Sequence, residues 1–245
     1  MGVFDLPAPV FTWLDQMMSA VASPSLRLVV WGLVAAVLSM GLYWAFSSQG
    51  KIADIKVRAL KARQDLNAHD GAFEEAWPMM RSMLGLSFRQ LGLTTLPALL
   101  ASIPVLALIV WLSTAYGYAL PDGQSAINVQ ATPDTPVSAE VKETPGASST
   151  NYPRLVITDG SGALISDIAL SAPVPTIHKR QWWNRLFGNP LGYLPSEGAI
   201  EVIAIDLPEK EYLSVGPTWL RPWYVLFFTI LVLGSLAIKM ALRIE

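Results

Sequence analysis

The chain alternates long apolar runs with polar segments whose hydrophobic positions recur at fixed spacings. The first run, Leu26 to Phe46, carries one charge, Arg27, at its edge. The second, Leu91 to Ala115, carries none, and the third begins at Trp219 with Arg221 at its entrance and Lys239 at its exit. About 20 residues at about 1.5 Å each cross a hydrocarbon core roughly 30 Å thick. These runs therefore predict membrane-spanning helices over 26–47, 91–115 and 219–239. Trp31, Tyr43, Trp44, Trp111, Tyr116, Trp219, Trp223 and Tyr224 gather mostly toward the run ends, where interfacial aromatics belong. A cleavable signal peptide is a poor match for the first run. No Lys or Arg precedes Arg27, and the run exceeds the usual apolar length of such peptides.

Between the first two runs, residues 48–90 read as two helices. Ile52, Ile55, Ala59, Ala62 and Leu66 recur at spacings of three and four, a seam with Lys51, Lys56, Arg58, Lys61 and Arg63 on the other faces. Residues 67–71 supply turn chemistry. Phe73, Trp77, Met80, Leu84 and Phe88 form a second helical stripe, in which Pro78 predicts a kink or restart. A short turn between helices predicts antiparallel packing. Met79, Met80 and Met83 beside Trp77 suit either a surface that accepts varied apolar partners or the core of a simple connector.

Beyond the second run, Pro, Ser, Thr and Gly dominate from Pro121 to Thr150, so 116–150 reads as a flexible linker. Two β-rich stretches, 154–158 and 163–170, flank a Gly-rich turn, and 200–206 offers a third strand. The expectation for 151–218 is a small β unit too thin for a large core of its own. Within it, His178 to Phe187 mixes Trp182, Trp183 and Phe187 with basic groups. It reads either as a short interfacial helix anchored by those aromatics or as a surface loop packed on the β unit. Phe11 to Val21, inside the 1–25 tail, is a second interfacial candidate.

Composition agrees with a membrane protein: 52% of residues are hydrophobic and 15% charged, against about 25% charged in soluble domains. Lys51, Lys56, Arg58, Lys61, Arg63, Arg81 and Arg89 concentrate between the first two runs, while the residues around 1–26 and 116–135 carry no Lys or Arg. Basic loops stay cytoplasmic. This predicts 48–90 inside, the N-terminus and 116–218 outside, and the 240–245 tail inside, in the inner membrane of a Gram-negative bacterium. A net charge of −2 gives no basic excess for a nucleic-acid partner.

Catalytic chemistry has little to work with. There is no cysteine, and His69 and His178 fall on opposite sides of the predicted membrane. Asp159 and Asp167 are a conceivable carboxylate pair without a pocket to tune them. The expectation is no enzyme, no metal and no cofactor.

The order of features resembles the YidC/Oxa superfamily, in its minimal three-span branch of small archaeal YidC-like proteins and the related subunit of the ER membrane complex. The residues behind the likeness are Pro24–Arg27 opening the first span, Gln49–Leu66, Pro97 and Pro104 in the second span, and Gly216–Tyr224 opening the third. The likeness covers about residues 10–115 and 212–245. It implies a mainly α membrane protein, with the cytoplasmic antiparallel hairpin and the outer β unit attached. It also implies an insertase or chaperone whose cytoplasm-facing groove eases client segments into the bilayer, with Pro97 and Pro104 holding the second span bent or broken. Trp77, Met79, Met80 and Met83 would receive the client. Ser39, Ser47, Thr94, Thr95, Ser102, Thr229 and Ser235 would line the groove, or else serve ordinary helix packing. The alternative is an accessory or assembly subunit of a larger membrane complex. The partners expected are membrane lipids together with client membrane proteins or a partner membrane subunit.

Overall fold

The computed structural model describes residues 2–120, 128–133, 137–142, 153–160 and 162–242. Five α-helices and six strands follow in chain order: α1 Ala8–Ser19, α2 Pro24–Phe46, α3 Gln49–Asn67, α4 Phe73–Tyr116, β1 Val129–Thr132, β2 Val137–Lys142, β3 Arg154–Asp159, β4 Leu164–Ala169, β5 Thr176–His178, β6 Val202–Ile205 and α5 Trp223–Leu242. The helices α2, α4 and α5 are long and apolar enough to cross a membrane. The chain divides into two compact units, Met1–Leu28 with Leu106–Leu226, and Val29–Val105 with Phe227–Glu245.

The main correction concerns α4. The second hairpin helix and the second span, expected as separate elements, form one helix of 44 residues that contains Pro78, Pro97 and Pro104. The prolines neither break nor restart it. Each removes one backbone donor, but helix formers flank all three, and at Pro97 and Pro104, inside the apolar run, a bilayer would penalise an unpaired stretch far more. At about 1.5 Å per residue the helix is about 66 Å long, twice the hydrocarbon thickness. The helix is therefore longer than one crossing requires, and its apolar run, Leu91–Ala115, makes up its C-terminal part. The third span opens at Trp223 rather than Trp219, because Pro217 and Pro222 bracket a separate 3₁₀ turn over Thr218–Leu220.

In α3 the anticipated seam is the least exposed face. Ile52 and Ile55 are buried, and Ala59, Ala62 and Leu66 are half-buried. Of the stripe expected on the second helix, only Met80 turns inward. Phe73, Trp77, Leu84 and Phe88 are exposed, at 68%, 55%, 49% and 70%, whereas Ala76, Met80, Met83 and Leu86 are half-buried. Both stripes have helical spacing, so periodicity alone does not say which one turns inward.

In the second unit, α2 and α5 pack through small residues. A Cβ placed on Gly32 would lie 2.9 Å from Ile230 Cβ and Cγ2, and one on Gly234 would lie 3.0 Å from Ala36 Cβ. Glycine here lets two helix backbones approach closely where no difference in hydrophobicity between protein and lipid drives them together.

The first unit carries the β structure, which is larger than expected. Residues 128–133 and 137–142, assigned to the linker, supply β1 and β2; of the remaining linker, 121–127, 134–136 and 143–152 lie outside the described residues. Short alternations such as Val129-Gln130-Ala131-Thr132 are obscured by the surrounding Pro and Ser. All pairings are antiparallel, in two three-stranded sheets ordered β1-β6-β5 and β2-β3-β4. The expected β3–β4 hairpin and the third strand, β6, are both present. Leu155, Ile157, Ile168, Ile177, Ile203 and Ile205, drawn from both sheets, meet in one core, so this unit does bury a core of its own. Asp167 pairs with Arg154 (2.9 Å) across the hairpin.

Two glycine substitutions separate close packing from helix propensity. Gly32→Ala gains about 1 kcal/mol of propensity but overpacks Ile230 by about 1–3 kcal/mol, so it should lower the thermal midpoint in detergent. At Gly41 an added Cβ would meet nothing within 4 Å, so Gly41→Ala should be neutral or stabilising.

Candidate functional site

The hydroxyl residues expected in a groove are scattered over three helices, and the second unit gathers five of them around two cavities. Ser39 from α2, Ser102 from α4 and Ser235 from α5 line one cavity of about 280 Å3, walled otherwise by apolar side chains such as Met40, Val105 and Leu231. Thr94, Thr95 and Ser102 line a second, of about 420 Å3. Tyr43, Ala98 and Ser102 belong to both.

The hydroxyl protons are largely committed within the helices. Ser39 donates to Ala36 O (3.1 Å), Thr94 to Gln90 O and Leu91 O (both 3.1 Å), and Ser102 to Leu99 O (2.7 Å). Back-bonding of this kind satisfies a hydroxyl inside an apolar helix while leaving oxygen lone pairs available. The prolines add acceptors. Pro97 has no N–H for Leu93 O, and Pro104 none for Leu100 O. Neither Leu93 nor Leu100 lines these cavities, so the polarity of the α4 wall comes from its hydroxyls.

Two expected groove residues stand elsewhere. Thr229 is exposed on α5 and lines neither cavity. Ser47 is buried at the α2–α3 junction, where its hydroxyl accepts from Gln49 Nε2. A helix junction needs its free backbone groups covered, which explains a buried polar residue there.

The client-binding residues also divide. Met83 lines a cavity of about 800 Å3 with Ser87 and Gln90 of α4 and with Ala53, Val57 and Leu60 of α3. Lys56 and Arg63 stand at the same cavity. Met79 and Met80 are half-buried, and Trp77 is exposed with its ring 6.1 Å from that of Phe73.

In the first unit, the expected interfacial helix is a single 3₁₀ turn, Trp182–Arg185. His178 is taken by β5, where it pairs with Val202, and Lys179 bridges to Leu194, so extended pairing claims the start of the segment. Phe187 stacks on Phe4 with ring centroids 5.1 Å apart, and Trp183 lies 4.8 Å from the His178 ring. Only Trp182 of the three stands clear, at 79% exposure. Phe187 and Trp183 thus pack on residues of their own unit.

A polar node at the span ends escaped the sequence reading. Asp15 of α1 accepts from Arg27 and from the Tyr116 hydroxyl. Tyr212 donates to Tyr116 O (2.8 Å), Ser25 to Tyr212 O (2.7 Å) and Lys210 to Ala115 O (3.1 Å). Burial raises the Tyr212 phenol to about 12 and lowers the Lys210 ammonium from its ordinary value, with Arg27 lowering it further. The available signal was a charge at each edge of an apolar run, but nothing in one dimension pairs residue 15 with 27, or 115 with 210.

Comparison with protein-family models, curated proteins and solved structures gives no match.

The raised Tyr212 value has a consequence at high pH. The folded state holds this proton more tightly than the unfolded chain, where the phenol titrates near 10.0. Its contribution to stability is complete below pH 10 and lost as pH rises toward about 12. Urea or thermal unfolding between pH 9 and 12 should show that loss, and Tyr212→Phe should flatten it.

Proposed function

We propose that the protein is a membrane-protein insertase or chaperone of the YidC/Oxa kind, with α3 and the Phe73–Gln90 part of α4 forming an antiparallel hairpin in the cytoplasm. The orientation rests on the seven basic side chains between Lys51 and Arg89. The membrane is the inner membrane of a Gram-negative bacterium.

The observation that carries this reading is the convergence of Ser39, Ser102 and Ser235, one from each apolar helix, on a single cavity. A polar group entering hydrocarbon without a partner loses several kcal/mol. One accepted hydrogen bond returns about 0.5–1.5 kcal/mol net. Three hydroxyls thus offset a part of the penalty and hold nothing tightly, which is what a transient path requires. The larger cavity beside Met83 supplies the approach. Its flexible apolar wall suits clients of varied sequence, and Phe73, Trp77, Leu84 and Phe88 expose a second apolar stripe on the same helix. No charge lies at mid-depth of α2, α4 or α5, so the path works by solvating clients' polar groups rather than by attracting their charge.

The accessory-subunit reading draws on α5, where Val232, Leu233, Leu236 and Met240 are each more than half exposed and offer a long face to another helix.

Photocrosslinking residues placed at Met80 and Thr95 distinguish the two. Insertion predicts capture of many newly made membrane segments at both positions. A single fixed partner at both would replace this reading with the subunit role, and capture at neither would remove the assigned path. A reporter fused at Asn67 should be reachable from the cytoplasm alone.

A further inference from the structure

The polar node of the first unit encloses a cavity of about 450 Å3 whose walls include Asp15, Ser25, Arg27, Tyr116, Lys210, Glu211 and Tyr212. We propose that this cavity binds the phosphate group of a membrane phospholipid. Three features of the node support this, and none depends on the insertase reading.

The first is depth. Apolar α2 begins at Pro24 and apolar α4 ends at Tyr116, so a cavity lined by Ser25, Arg27 and Tyr116 lies where the apolar helices give way to polar chain. In a bilayer that level is the headgroup layer, whose abundant anion is the lipid phosphate.

The second is charge balance. Arg27 is neutralised by Asp15, and Glu211 by Arg221 at 3.0 Å. Lys210 donates to the neutral carbonyl of Ala115, and no carboxylate lies within 4.0 Å of it among the described residues. The cavity therefore keeps one uncompensated cation. Burial lowers the proton affinity of Lys210, and the neighbouring Arg27 lowers it further.

The third is the supply of donors. Arg27 is largely buried, and its Nε has no hydrogen-bond partner among the described residues. A buried guanidinium N–H normally finds an acceptor, and phosphate geometry suits a guanidinium and an ammonium together. Both Asp15 oxygens are already engaged, Oδ2 by Arg27 and Oδ1 by Tyr116, so this carboxylate is screened from an incoming anion.

The test uses the full chain, stripped of lipid in detergent and titrated with phosphatidylglycerol, diacylglycerol or inorganic phosphate under native mass spectrometry. One phosphatidylglycerol should be held per chain. Lys210→Gln keeps a donor for Ala115 O but loses the charge, and should weaken binding about ten-fold. Lys210→Arg should restore it. Arg27→Lys keeps the ion pair with Asp15, loses Nε and should weaken binding similarly, so the test survives if Lys210→Gln fails to fold. Arg58→Gln, on exposed α3, should change nothing. Diacylglycerol binding as well as phosphatidylglycerol would overturn the proposal, since it lacks the phosphate. So would equal binding by the wild type and both charge-site variants. Inorganic phosphate that displaces the lipid at equal concentration would overturn it as well, by making the site one for free anions.

Discussion

Hydrocarbon does not solvate polar groups, and this constraint orders the whole molecule. It requires the apolar segments to be helices, because only a helix pairs its backbone internally. It holds α4 continuous through Pro97 and Pro104, where water would permit a break. It also turns the hydroxyls of Ser39, Thr94 and Ser102 back onto carbonyls of their own helices. Arg27, Lys239 and the other charges near the spans lie at helix ends for the same reason.

The two units answer the constraint differently. In the second, close contacts at Gly32 and Gly234 bind α2 to α5, while hydroxyls are the polar groups of otherwise apolar cavity walls. In the first, polarity is concentrated. Asp15, Arg27, Tyr116, Lys210 and Tyr212 join α1, the start of α2, the end of α4 and the segment ahead of α5 in one network. That network fixes where helix gives way to the β structure. The β unit adds a core shared by two sheets, so it holds together independently of lipid.

What the sequence disclosed followed the strength of the local signal. Three uninterrupted apolar runs could be read directly, as could the Ile52–Leu66 seam and the β3–β4 hairpin, since each repeats one period over enough residues. Five of the seven groove candidates, Ser39, Thr94, Thr95, Ser102 and Ser235, do line cavities, because a hydroxyl in an apolar run has few places to sit. Legibility failed where two answers share one period or where partners are distant in the chain. Phe73, Trp77, Leu84 and Phe88 make as good a stripe as the half-buried face beside them. Pro78 resembled a boundary because its cost is local and the gain from continuing the helix is not. Strands β1 and β2 were too short to stand out from proline-rich surroundings, and the Asp15–Arg27–Tyr116 node depends on folding.

The central claim is that the cavity shared by α2, α4 and α5 admits water and polar groups from the side that bears α3. The natural chain lacks cysteine, so a single Ser102→Cys substitution reports on that cavity without background. In oriented membrane vesicles, a membrane-impermeant thiol reagent applied to the cytoplasmic face should label Cys introduced at this position without denaturant. Protection from that face until the protein is denatured, or labelling from the opposite face alone, would contradict the account.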